Sequence, residues 1–352
     1  MPCSRDQNGG PGRGLSVRAG CFAKGEPSVG PRAEMIGRDG RTGKGDTPLH
    51  EGEAPRRVVV IGVPMDLGAD RRGVDMGPSA IRYAGLRQEL KRSGVQAEDR
   101  GDLRVPVPES RPVPTEHLKF VDEIAQTCME LADAVAEVAR SGAFPLVLGG
   151  DHSIAIGTIA GMARTLRDVG VIWVDAHGDF NTTDTSPSGN IHGMPFAVSL
   201  GIGDERLLRA RGDAPAIAGR HAVLVGARTL DDGEKTLLRQ AGVTVFTMTE
   251  IDKYGMREIM DRALTIAGSD TAGIHISFDV DAIDPTEAPG VGTPYPGGLT
   301  YREAHLAMEM AHESGLLRSM EIAEVNPILD RENRTARVAV GLAGSALGRR
   351  IL

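Results

Sequence analysis

From residue 57 onward, short apolar runs alternate with longer stretches in which apolar residues recur every three or four positions. The runs are Val58–Val63, Pro145–Leu148, Val171–Val174, Ala222–Val225, Val243–Thr247, Ile274–Phe278 and Ser319–Val325. Most are nearly continuous in Val, Ile, Leu and Phe, the pattern of strands buried on both faces of a parallel sheet. The stretches Pro78–Ser93, His117–Arg140, Ser153–Leu166, Gly233–Ala241, Met256–Ala267 and Tyr301–His312 are predicted as helices. On one of them Val121, Ile124, Cys128, Leu131, Val135 and Val138 form a single stripe, so Cys128 is expected in the core. On another, Thr300 and Glu303 predict a capping box. Strand and helix alternate to the end of the chain, which predicts one doubly wound parallel α/β domain over residues 55–352. No internal repeat is evident, and no glycine-rich dinucleotide fingerprint follows the first strand.

Residues 1–54 break this pattern. They are rich in Gly, Pro, Arg and Ser without apolar periodicity, and are expected to be a disordered extension. They lack the apolar centre of a signal peptide, and their acidic residues speak against a transit peptide. "GRDGRTGKG" resembles a phosphate loop only in outline, since no Ser or Thr follows Lys44. Met35 offers a second start.

Composition narrows the function. A net charge of −8 and 3% aromatic residues argue against a nucleic-acid partner. No apolar run approaches the ~20 residues of a membrane helix, so a cytoplasmic protein is expected. Three cysteines, Cys3, Cys21 and Cys128, cannot build a disulfide framework.

The chemistry gathers where strands end. "VIWVDAHGDF" passes from four buried apolar residues to Asp175, His177 and Asp179, spaced by two. In an extended chain these would share one face and converge beyond the carboxyl end of the strand, where open α/β sheets place ligands. Ala176 and Gly178 are small enough for the backbone to turn closely around an ion. "IHISFDVDAIDP" repeats the arrangement with Asp279 and Asp281, and "FPLVLGG" runs into Asp151 and His152. One such stretch could be a solvated acidic turn, and a lone histidine is usually structural. Three strand ends with the same character favour cations, without which such carboxylates repel. His152, Asp175, His177, Asp179, Asp279 and Asp281 offer oxygen and imidazole but no thiolate, a set that suits manganese better than zinc. Six ligands exceed what one ion with a water needs, and fit two ions ~3.5–4 Å apart that share a hydroxide aimed at an electrophilic carbon. A closed structural site is the duller alternative.

The segments "GGDHSIAIGT", "VDAHGDFNTTDTSPSGNIHGMP", "SFDVDAIDPTEAPGVGTP" and "AEVNPILD", with "GVPMDLGADRRGVDMGPSAIRYAG" and "GGLTYREAHLAMEM", resemble the ureohydrolase family, and within it arginases of the bacterial kind. The resemblance spans about residues 57–352. It implies a three-layer α/β/α fold, two Mn(2+) ions per subunit, and hydrolysis of L-arginine to L-ornithine and urea. By motif, His152, Asp175, Asp179 and Asp281 would hold one ion, and Asp175, His177, Asp279 and Asp281 the other. Asp281, shared by both, counts as catalytic. His192 would serve in proton transfer to the leaving amine, and Glu324 would pair with the guanidinium. Asn181, Ser186 and Ser188 match positions that meet the substrate α-carboxylate, and Asp231 the α-amino partner. Glu234 and Thr293 align with further pocket positions. The family often forms trimers or hexamers, so a homo-oligomer is expected.

Rival readings share parts of this pattern. An agmatinase or guanidino-acid hydrolase would use the same six ligands, but "NTTDTSPSGNIHGMP" follows the arginase form. Related deacetylases use one zinc and fewer acidic ligands. A catalytically dead homologue would have lost ligands, which this chain retains together with His192 and Glu324.

Overall fold

Eight strands form the sheet: β1 (Arg57–Val63), β2 (Gln96–Asp102), β3 (Phe144–Gly149), β4 (Val169–Val174), β5 (Ala222–Ala227), β6 (Thr244–Thr247), β7 (Gly273–Asp279) and β8 (Leu317–Ala323). All pair in parallel, in the order β2-β1-β3-β8-β7-β4-β5-β6. The computed structural model describes residues 57–111, 117–212 and 215–349, so the extension 1–54 lies outside the described residues, as do Cys3 and Cys21.

All seven predicted strands are present. The eighth, β2, is QAEDRGD, exposed along its whole length and without an apolar signature. It is held by backbone pairing to β1, while Asp99 and Asp102 take the guanidinium of Arg82. A charged edge of this kind also resists pairing with another chain. Helix boundaries moved where the backbone turns left-handed. Gly85, at φ 102°, splits Pro78–Ser93 into Gly77–Tyr83 and Leu86–Arg92. Phe120, at φ 53°, delays the next helix to Val121–Arg140. Helix Met248–Gly268 breaks at Gly255, so the predicted segment is its second limb. The helix Arg334–Ala346, rich in small residues and buried along most of its length, was not among the predicted stretches.

Helices cover both faces and enclose two cores. One contains Ile172, Val174, Phe278, Ile322 and Met308; the other contains Val147, Val171, Trp173 and Phe196 together with Cys128. The Thr300 capping box forms as expected. Among the described residues no helix is long and apolar enough to cross a membrane. What matters for chemistry is the sheet's centre, where β3, β8, β7 and β4 lie side by side. Asp279 is level with Ala323 on β8, and Phe278 with Val174 on β4. The segments that follow these strands therefore emerge together.

Candidate metal centre

One local device ends three of the four central strands. An aspartate carboxylate accepts the backbone N–H two residues on: Asp151 from Ser153 (3.0 Å), Asp175 from His177 (2.7 Å) and Asp279 from Asp281 (2.7 Å). Such turns stop a strand by giving its backbone a competing partner. They also overturn the extended geometry expected from two-residue spacing, since beyond Val174 the chain folds rather than runs on. Asp179 itself sits at φ 47°.

The six candidate ligands thus meet in two groups rather than at one point. His152, Asp175, Asp179 and Asp279 form the first, fully buried; Asp175, His177 and Asp281 form the second. Asp175 belongs to both. The grouping differs from the expected partition: Asp279, not Asp281, stands with His152, because the turn at Val280–Ala282 carries Asp281 to His177. Gly178 also packs close to the neighbouring helix, where a Cβ would lie 2.7 Å from Glu234 Oε1.

In the first group His152 Nδ1 lies 3.0 Å from Asp179 and 3.3 Å from both Asp175 and Asp279. In the second, His177 Nδ1 lies 2.9 Å from Asp281 and 3.4 Å from Asp175. Ligands at ~2.1 Å around an octahedral ion stand ~3 Å apart, so the spacing fits cations. His152 Nδ1 is buried without a hydrogen-bond partner, an arrangement a cation would satisfy.

Without a cation the carboxylates are in conflict. Burial and then Asp175 push Asp179 up to about 7, and burial and then Asp281 raise Asp279 well above the usual range. Burial would raise Asp175 too, but the imidazoles of His152 and His177 beside it outweigh this and hold that carboxyl far below. Both imidazoles are raised despite burial, His152 chiefly by the Asp175 and Asp179 carboxylates beside it, and His177 by the charge of Asp281. In the metal-free state the histidines stand in for the missing positive charge.

Behind the first group lies support that the sequence reading missed. His152 Nε2 meets Ser277 Oγ at 2.8 Å, and that hydroxyl donates to Glu321 Oε1 at 2.7 Å. Because Ser277 donates to Glu321, it accepts from Nε2–H, which aims Nδ1 at the carboxylates, where a cation would take the place of its proton. His275 joins the same chain through Glu321 (3.4 Å) and Ser319 (2.8 Å), all of it buried. Trp173 donates to Asp175 Oδ2 at 2.9 Å and stacks on His152, with centroids 4.2 Å apart. Trp173, Ser277 and Glu321 occupy one cross-strand row. Their only signal in the sequence was polarity inside apolar runs.

On the open side, His192 Nδ1 lies 3.0 Å from Glu324 Oε1, which also accepts His152 N–H at 2.9 Å. Glu324 Oε2 is buried and unpartnered, and the residue holds a left-handed backbone at φ 67°. Burial lowers the His192 pKa, but Glu324 outweighs this and carries it up to about 9. Asn181 Nδ2 donates to Asp231 Oδ2 at 3.0 Å, joining two of the proposed substrate contacts. Ser186 and Ser188 accept N–H groups from Gly189 and Asn190 within their own loop. Glu234 is buried, and its carboxylate accepts the N–H groups of Phe180 (3.0 Å) and Asp231 (2.9 Å). Thr293 donates to Asp281 Oδ2 at 3.0 Å, which ties it to the second group.

Comparisons with known proteins point to one family. The sequence profile of the Arginase family matches residues 56–348. The arginase of Brevibacillus brevis is 54% identical over 297 residues, covering 84% of this chain and 99% of the relative. The arginase of Bacillus caldovelox is 52% identical over 296 residues, with the same coverage of 84% and 99%. Its crystal structure superposes with a TM-score of 0.82, over 84% of this chain and 100% of that one.

Proposed function

The chain belongs to the arginase family and is a hydrolase, and on that premise we propose that it converts L-arginine to L-ornithine and urea with two manganese ions per subunit. The observation that carries the reading is the pair of buried His/Asp groups sharing Asp175, beside an unpartnered carboxylate oxygen of Glu324. His152, Asp175, Asp179 and Asp279 would hold one ion, and Asp175, His177 and Asp281 the other. Oxygen and imidazole ligands without thiolate favour manganese over zinc. Ions held there would make a water acidic enough to act near neutral pH.

The chain's own residues do the rest. Glu324 Oε1 is already engaged by His152 N–H and His192, so Oε2 is left to accept an N–H of the planar guanidinium. His192 carries a proton near neutral pH, held at Nδ1 by Glu324. It gives a proton to the departing side-chain amine as the carbon–nitrogen bond breaks. Asn181, Ser186 and Ser188 would orient the α-carboxylate, and Asp231 the α-amino group, with Glu234 fixing the loop beneath them. The family's habit extends the proposal to a homo-oligomer, a trimer or hexamer, which light scattering on the purified protein would measure.

Agmatinase activity is the alternative, and the relatives named arginase at 52–54% identity weigh against it. Urea release from arginine, agmatine and 4-guanidinobutyrate by manganese-loaded protein tests the choice. Agmatine would leave carboxylate donors unpaired at ~1–3 kcal/mol each, so arginine should be preferred by at least ~100-fold in kcat/KM. Asn181→Ala should narrow that gap by weakening arginine. Comparable rates on arginine and agmatine would refute the substrate, and one tightly bound zinc in active protein would refute the metal pair.

A further inference from the structure

Arg228 stands where the three segments that build the His177 group cross. Its backbone N–H donates to Ala176 O at 2.9 Å, the carbonyl between Asp175 and His177. Its guanidinium then reaches across to the segment after β7. Nη2 donates to Asp281 O and to Tyr295 O, each at 2.7 Å, and Nη1 to Ala282 O at 3.1 Å. Nε adds a second bond to Tyr295 O at 3.2 Å. These acceptors are all main-chain carbonyls, so the fork clamps backbone rather than neutralising one carboxylate. The loop that carries Tyr295 also carries Thr293, whose hydroxyl holds Asp281 Oδ2. Gly298 leaves room for the clamp, since a Cβ there would come 2.7 Å from Nη2.

The physical need is plain. Asp281 sits in a short turn beside Asp279 and Asp175, and like charges would splay that turn when no cation is present. Fixing the carbonyls of Asp281 and Ala282 fixes the direction in which the Asp281 carboxylate leaves the backbone. A lysine could supply the charge but not the planar set of donors that spans these carbonyls. The His152 group has its own supports in Ser277 and Glu321, while Trp173 holds the shared Asp175.

We infer that Arg228 is a positioning residue for one half of the site: by clamping the segments around Ala176, Asp281 and Tyr295 it prepares the His177–Asp281 group for a divalent cation and leaves the His152 group unaffected. This rests on the two-ion reading above. The test is stepwise calorimetric titration of metal-free protein with Mn(2+), using the unaltered chain, Arg228→Lys and Ser277→Ala, with far-UV circular dichroism to verify folding. The unaltered chain should take two ions. Arg228→Lys should keep one within ~3-fold of its original affinity and weaken the other by ~10–100-fold. Ser277→Ala should do the reverse, weakening the ion that Arg228→Lys spares. If Arg228→Lys fails to fold, Arg228→Gln decides the matter, because it keeps a planar donor but cannot span the carbonyls of Asp281, Ala282 and Tyr295, and it should weaken the same single ion. Equal weakening of both ions, or two unchanged ions in a folded Arg228→Lys, would overturn the inference. A single ion in the unaltered chain would overturn the two-ion reading first, and the inference with it.

Discussion

The two carboxylate–imidazole groups share Asp175 but are built from different material. The His152 group grows out of the sheet: its imidazole is fully buried, stacked on Trp173 and anchored through Ser277 to Glu321. The His177 group is assembled from loops, its imidazole side chain is 29% exposed, and it is braced by Thr293 and Arg228 from neighbouring segments. Neighbouring strands locked by backbone pairing cannot drift apart, whereas loops can. The first group is therefore braced by side chains on paired strands, and the second by side chains on loops.

Asp175→Ala attacks what the groups have in common. It should remove both metal sites and cut turnover by more than the ~10–100-fold typical of losing a supporting residue; retention of one tightly bound ion, read by metal analysis, would show that the groups are independent. Glu321→Gln probes the sheet-built half alone. It keeps the side chain's shape while removing the charge that fixes Ser277 and His152, so one Mn(2+) should bind ~10–100-fold more weakly and the other unchanged.

The rim pair offers a pH test. His192 rises from 6.5 to about 9 in the fold, so its contribution to metal-free stability is full below pH 6.5 and is lost as pH climbs through about 9. That contribution is up to ~3 kcal/mol. Thermal melts of the metal-free protein should show this alkaline decline, and His192→Asn should flatten it. An unchanged slope in that variant would detach His192 from Glu324. The smallest effect belongs to the loop-built half: Thr293→Val removes one hydrogen bond to Asp281, ~1 kcal/mol, and should weaken a single Mn(2+) by about 5-fold. A loss shared by both ions would mean that the loop supports the whole site.

The sequence alone determined seven of the eight strands, the fold class and the six residues that gather at the sheet's centre, because burial periodicity and the ionisable residues that interrupt it are local signals. It also placed Cys128 in the core and Thr300 at a helix start, since a stripe and a capping box are read within a few residues. It did not show β2, whose partner is a backbone rather than a core. The division of six residues between two groups, with Asp279 beside His152 and Asp281 beside His177, was settled by the turns that follow β4 and β7. Ser277 and Glu321 matter because neighbouring strands place them in one row, and Arg228 because loops distant in sequence cross at its guanidinium. Those relations arise from strand order and register, which couple residues far apart along the chain and leave no periodic trace within any single stretch of it.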